Sequence, residues 1–150
     1  MKNILSIVLT LCAICYGQET LSAHYSSDNP QLTLERNSSS SDAVISDAFA
    51  NQKSNLQVSA SGTVIKLLAD DNDGSRHQKF LVRLSSGLTL LIAHNIDLAP
   101  RINNLKVSDT IEFYGEYEWN EKGGVIHWRH QDPRGAHPAG WLKHKGQKYQ

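Results

Sequence analysis

From Leu56 onward, apolar and polar side chains alternate with a period of two, the pattern of strands that turn one face to a core. Val58, Ala60, Gly62 and Val64 alternate with Gln57, Ser59, Ser61 and Thr63, which predicts a long first strand bent at Gly62. Asp70-Asp71-Asn72-Asp73-Gly74-Ser75 is a turn cluster. A second strand carries Phe80, Val82 and Leu84 on one face and His77, Lys79, Leu81 and Arg83 on the other. Ser85-Ser86-Gly87 reverses the chain into a third strand, Leu88 to His94, and Pro100 breaks the pattern after it. The fourth strand, Thr110 to Trp119, alternates Ile111, Phe113, Gly115, Tyr117 and Trp119 with Glu112, Tyr114, Glu116 and Glu118. A fifth is predicted from Val125 to about His130, and a last strand or hairpin from Trp141 to Tyr149, turning near Gly146.

Ahead of the strands the period changes. Asp42 to about Lys53 reads as a short helix, with Val44, Ile45, Ala48 and Phe49 on one stripe against the domain body and Ser41 or Asp42 as its cap. Gln18 to Ser41 is polar, with Pro30 and a run of serines from Ser38, too polar to offset its ordering entropy; a flexible lead-in is expected. Met1-Lys2-Asn3 is a basic start, Ile4 to Cys15 an apolar run, and Cys15 and Gly17 are small residues near an exit. This is the pattern of a secretory signal cleaved after Gly17. The run is shorter than the ~20 residues that span a bilayer. The residues before Cys12 and Cys15 lack the small side chain of a lipid-attachment signal, so no membrane anchor is expected after cleavage. Both cysteines leave with the signal, so the mature chain is expected to have no disulfide partner and no thiolate chemistry.

The expectation is one exported domain, residues 42–150, in the periplasm or the medium. Its class is all-β with one short N-terminal helix. Five strands with a long, bent first member resemble an OB-fold barrel of five to six strands, and closure removes the exposed edges of a small domain. The link between the third and fourth strands is too short and Pro-broken for a full-sized helix. A small sandwich is the alternative.

Charge changes the picture only locally. Lys and Arg number 15, as do Asp and Glu. From Lys122 to Gln150, however, the basic residues are Lys122, Arg129, Arg134, Lys143, Lys145 and Lys148, against the single acid Asp132, and four of the chain's seven histidines lie there. A local basic field of this kind attracts anions; otherwise it is a solvated tail.

Four stretches resemble one family. They are Asp70 to Phe80, Ala93-His94-Asn95-Ile96-Asp97-Leu98-Ala99-Pro100-Arg101, Phe113-Tyr114-Gly115-Glu116-Tyr117-Glu118-Trp119, and His127-Trp128-Arg129-His130-Gln131-Asp132-Pro133-Arg134-Gly135-Ala136-His137-Pro138-Ala139-Gly140-Trp141. Together they are similar to domain-of-unknown-function family 3465, over roughly Val58 to Tyr149. The resemblance implies a small exported bacterial protein and no activity.

Chemistry has to be read from the residues. His130, Asp132 and His137 are weak candidates for a divalent metal such as zinc; His127 and His130, three apart in a strand, point opposite ways. Asp70, Asp71 and Asp73 carry oxygen donors for calcium or magnesium without the full calcium-loop pattern, so a solvated turn competes. His77, Lys79 and Arg83 share an outward face that follows Arg76, and His127 shares one with Arg129, which suits anion binding. Tyr114, Trp119 or Trp141 would stack a base or sugar ring, or else pack the core. Acids, arginines and histidines together also suggest metal-dependent phosphodiester cleavage. Ile96-Asp97-Leu98-Ala99-Pro100 is faintly similar to the Asp-x-Pro element of the secreted thermonucleases, but Arg101 stands where an acid follows there. No cofactor is indicated firmly.

The expected function is recognition of an anionic or sugar-containing polymer, nucleic acid or glycan. The expected ligand-binding residues are Arg76, His77, His94, Asn95, His127, Arg129, Arg134, His137 and Trp141. A metal-dependent phosphodiesterase or nuclease, and a structural envelope domain that binds other proteins, are the alternatives.

Overall fold

The computed structural model describes residues 41–127 and 139–150. The expected signal and lead-in lie outside the described residues, except Ser41. One helix, α1, covers residues 41–50. The strands are β1 (Leu56–Leu67), β2 (His77–Arg83), β3 (Thr89–Asn95), β4 (Thr110–Glu118), β5 (Val125–His127), β6 (Trp141–His144) and β7 (Gln147–Tyr149). No helix of the described residues is long and apolar enough to cross a membrane.

β1 pairs with β4 along its first part and with β2 along its last, which closes β1-β2-β3-β5-β4 into a five-stranded, OB-like barrel. β3 and β5 run parallel and the other pairs antiparallel. The β6–β7 hairpin pairs with β4 along the same edge that β5 uses further on.

Closure needs β1 to bend sharply, and two residues allow it. A Cβ on Gly62 would lie 2.5 Å from Val82 Cγ1 and 2.7 Å from the Arg83 carbonyl oxygen, so only glycine lets β1 approach β2 there. The register slips by one at Ile65, between Val64 and Lys66, and such a bulge adds twist. The partner row that starts at Leu67 passes through Phe80, Ile92, Ile126 and Tyr117 and returns to β1 at Leu56, eleven residues away. That stagger tilts the strands and sets the bore, which Phe80, Ile92, Ile126 and Tyr117 fill as one fully buried layer. The Tyr117 hydroxyl donates to the Gly123 carbonyl at 3.1 Å, and burial pushes its pKa up. Its ring lies so close to Gly124 (φ 106°) that a Cβ there would sit 2.2 Å from Cε2.

The two ends of the barrel are sealed differently. At the end of the β2–β3 and β4–β5 turns, α1 inserts Ile45 and Ala48, both fully buried. Asp42 Oδ2 accepts from the backbone N–H groups of Ser85 (2.8 Å) and Ser86 (3.3 Å), and Trp119 Nε1 donates to the Phe49 carbonyl at 3.1 Å. At the other end the β3–β4 link forms no helix, as its length and Pro100 imply, and it inserts Ile102 and Leu105. The buried Gln78 amide clasps the backbone of Ile102, donating to its carbonyl at 3.0 Å and accepting from its N–H at 2.9 Å. Asp109 accepts from His144 Nε2 (2.8 Å) and from the Lys106 N–H (2.9 Å), which ties this link to β6.

α1 departs from the reading of its stripe. Val44 is 56% exposed, and Asp42 takes the barrel-facing position one turn before Ile45. The face in contact is Asp42, Ile45 and Ala48, spaced by three, so the residue expected as a helix cap serves the β2–β3 turn instead. The helix stops at Ala50 rather than about Lys53. Lys53 N–H donates to Ala48 O (2.9 Å) and Gln52 N–H to Phe49 O (3.2 Å), a Schellman motif with Gln52 left-handed (φ 51°). β5 is described only as far as His127.

Four substitutions test this account. Gly124→Ala should cost about 2–5 kcal/mol in urea unfolding, combining backbone strain with overpacking against Tyr117. Gly74→Ala, at φ 68° with nothing within 4 Å of a new Cβ, should cost only about 1 kcal/mol. Gln52→Gly should raise stability by about 1 kcal/mol in the same assay, because glycine adopts the left-handed cap without penalty. The His144 hydrogen bond, foremost, holds Asp109 down from its ordinary 3.8 to about 2. A lowered carboxylate pKa gives stability that is complete above the unfolded value and lost as pH falls through the folded one. Asp109→Asn should therefore melt below the wild type at neutral pH, and the two melting curves should converge between pH 3.8 and about 2.

Candidate functional site

On the barrel's outer surface, strand pairing sets alternate residues in rows. One row is Lys79 (β2), Ala93 (β3), His127 (β5), Glu116 (β4) and Gln57 (β1). A parallel row is Leu81, Leu91, Val125 and Glu118. His77, two residues from Lys79 on β2, shares this outward side, and Lys79 stands two strand spacings, about 10 Å, from His127. Along β4 the outward residues Glu112, Tyr114, Glu116 and Glu118 face Lys143 and Trp141 of β6, then His127 and Val125 of β5.

The loop end of β2 is charge-paired. Arg76 donates its backbone N–H to Asp97 Oδ2 (2.7 Å) and its Nε to Asp97 Oδ1 (2.6 Å). These two contacts, the backbone one foremost, hold the Asp97 pKa below the usual carboxylate range. Asn95 Oδ1 accepts from the Asp97 N–H at 2.9 Å and sets that loop. Arg101 grips Asp70 with two bonds, Nε at 3.1 Å and the terminal amine at 3.0 Å. Lys79 pairs with Asp71 at 3.1 Å. The Asp73 backbone N–H and then Lys79 lower the Asp71 pKa. His77 Nδ1 lies 2.7 Å from the Ser75 carbonyl, which can only accept, so that nitrogen carries the proton. The aspartate turn is thus a lattice of ion pairs, and the described residues hold no group of three metal-donor side chains.

Two expected ligand residues are enclosed by the fold. His94 is fully buried, with Nε2 bonded to the Pro100 carbonyl at 2.9 Å. Asn95 is 8% exposed and turned to its own loop. Both steady the β3–β4 link and neither reaches solvent as a ligand group would. Trp119 is likewise a packing residue, its N–H given to α1. Arg129, Arg134, His137, His130 and Asp132 lie outside the described residues.

The outward side of β4 gathers unlike groups. Tyr114 and Trp141, cross-strand partners, stack with ring centroids 6.2 Å apart and planes 25° apart. Lys148 of β7 stands over the Trp141 ring, 5.3 Å from its centroid. Next along β4, His127 Nε2 is 4.0 Å from Glu118 Oε1. With its amide turned to suit its neighbours, Asn55 Nδ2 donates to Glu118 Oε1 (3.1 Å) and Glu116 Oε1 (3.2 Å), so one amide bridges two carboxylates. Asn55 is itself left-handed (φ 60°) just before β1. Tyr114, Trp141, Glu116, Glu118 and His127 are half-buried, whereas Asn55 and Lys148 are exposed. The sequence pointed to Tyr114 and Trp141 as stacking rings and to Lys148 only as part of a basic segment, and it gave Asn55 no role. Asparagine is one of the few residues that tolerate the left-handed region, and its place just before a strand was the one available signal.

Comparison with known proteins agrees with the motif resemblance. No curated protein matches the chain. A family model described as "Protein of unknown function (DUF3465)" matches residues 30–150, which takes in α1 and every strand of the barrel and hairpin. On that match, the chain belongs to the family of proteins of unknown function DUF3465.

Proposed function

We propose that this is an exported binding domain that holds a sugar-containing polymer on the outer surface of β4 and β6. The carrying observation is the stacked, half-buried pair Tyr114 and Trp141. The C–H face of a sugar ring packs on such rings. Beside it, Glu116, Glu118, Asn55 and His127 offer the acceptors and donors that hydroxyl groups need. Lys148 covers the indole as a movable lid, since an exposed cation–π contact is worth only about 0.5–1 kcal/mol.

Between the two polymers first considered, the charges favour the glycan. Arg76, Lys79, Arg101 and Lys143 each face a carboxylate, and Glu112, Glu116 and Glu118 line the platform's own strand. A phosphate backbone would meet repulsion there and few uncommitted cations. The same pairings engage the acids and cations that a phosphodiester-cleaving site would require.

Titration of the mature protein with chitin-, cellulose- and peptidoglycan-derived oligosaccharides, beside single-stranded DNA and RNA, tests the reading. Saturable binding to one oligosaccharide class, insensitive to salt, is expected. Trp141→Ala or Tyr114→Ala should weaken it about 5- to 150-fold, the range for losing a stacking ring, and Lys148→Ala should not weaken it. Salt-dependent binding to nucleic acid alone, or full affinity in Trp141→Ala, would refute the proposal.

A further inference from the structure

A second concavity lies where β1 leaves β4 for β2. Thr63 is the common partner of Arg83 on β2 and Thr110 on β4. Around it, Ser61, Gly62, Ile65, Leu84 and Ser85 complete a cavity of about 440 Å³, within the size range of small-molecule sites. It follows from the closure device itself: the bend at Gly62 and the bulge at Ile65 make the outer side of β1 concave.

The lining has a definite chemistry. It includes one cation, Arg83, and no carboxylate. Arg83 is exposed and has no side-chain ion pair among the described residues, unlike Arg76 and Arg101. The hydroxyls of Ser61, Thr63 and Thr110 have no hydrogen-bond partner among the described residues and remain able to donate. Ser85 differs, because its hydroxyl already donates to Asp42. Asp42 lies behind Ser85 with one oxygen held by three donors, the two backbone N–H groups and that hydroxyl. Ile65 and Leu84 supply the apolar part of the wall.

We infer that this cavity binds a small organic acid, with its carboxylate on the Arg83 guanidinium and its short apolar body against Ile65 and Leu84. A guanidinium presents two parallel N–H donors to a carboxylate, which suits a planar head group. Hydroxyls alone would not select an anion, and a guanidinium alone would not select an apolar tail; the lining combines both. The site is separate from the aromatic platform and does not depend on what that platform binds.

The probe is hexanoate, compared with butyrate, inorganic phosphate and 1-hexanol, followed by amide chemical-shift titration of the mature protein. Saturable shifts at Thr63, Arg83, Leu84 and Thr110 are expected, with hexanoate tighter than butyrate and both tighter than phosphate or hexanol. Arg83→Gln should lose at least tenfold in hexanoate affinity, and Arg83→Lys, which keeps the charge but not the fork, should fall between. The Arg83 side chain is exposed, so both variants should melt near the wild type; a thermal melt of each, and Thr63→Val as an independent lesion in the lining, separates a lost contact from a lost fold. No saturable shift with hexanoate, or unchanged affinity in folded Arg83→Gln, overturns the inference. Phosphate binding tighter than hexanoate overturns the assignment of ligand class.

Discussion

The double pairing of β1 is the constraint on which the rest depends. One strand of twelve residues must hydrogen-bond β4 with its first part and β2 with its last, or the sheet stays open with two exposed edges. The bend that permits this rests on Gly62, where no side chain fits, and on one extra residue at Ile65. The resulting stagger fixes which side chains share a layer, so Phe80, Ile92, Ile126 and Tyr117 meet inside while Lys79, Ala93, His127 and Glu116 form a row outside. The core and the candidate surface are two faces of the same register.

Closing the barrel leaves two open ends, and this chain stops them with different devices. α1, arriving before β1, covers one end with Ile45 and Ala48 and is moored by Asp42 and Trp119. The β3–β4 link covers the other with Ile102 and Leu105, and side chains rather than a helix satisfy its buried backbone: Gln78 holds Ile102 and His94 holds Pro100. Both plugs act at the ends and leave the outer side of β4, β5 and β6 and the concave side of β1 exposed enough to receive ligands. Structural and candidate functional histidines separate on the same basis. His94 and His144 are enclosed by the link and the hairpin, whereas His127 stands on the outer wall.

Charge shows why composition alone misleads about a partner. Basic residues near the aspartate turn read as an anion-attracting cluster when counted along the chain. In space Arg76 meets Asp97, Lys79 meets Asp71 and Arg101 meets Asp70, the first and last of these joining residues 21 and 31 positions apart. Only a long-range fold places such acids, so the spacing of the arginines carried no sign of their neutralisation. Arg83 shows the converse. It read as one more cation on an outward face, and in the fold it is the cation of a lining without a carboxylate.

What was legible in the sequence is local in origin. The period-two alternation located the starts of β1 to β4 to within a residue, Gly62 marked the bend, and Pro100 with the short link argued against a full-sized helix before β4, because side-chain alternation and backbone freedom act over a few residues. The family motifs were legible too, since they are runs of adjacent residues. Hidden were the buried roles of His94 and Asn95, the turn-holding role of Asp42, the bridging of Glu116 and Glu118 by Asn55, and the pocket around Arg83. Each depends on which residues the register sets side by side from distant strands. Local sequence determined the elements and the all-β class; only tertiary pairing decided that the sheet closes into a barrel, which polar groups are bonded within the protein and which stay exposed.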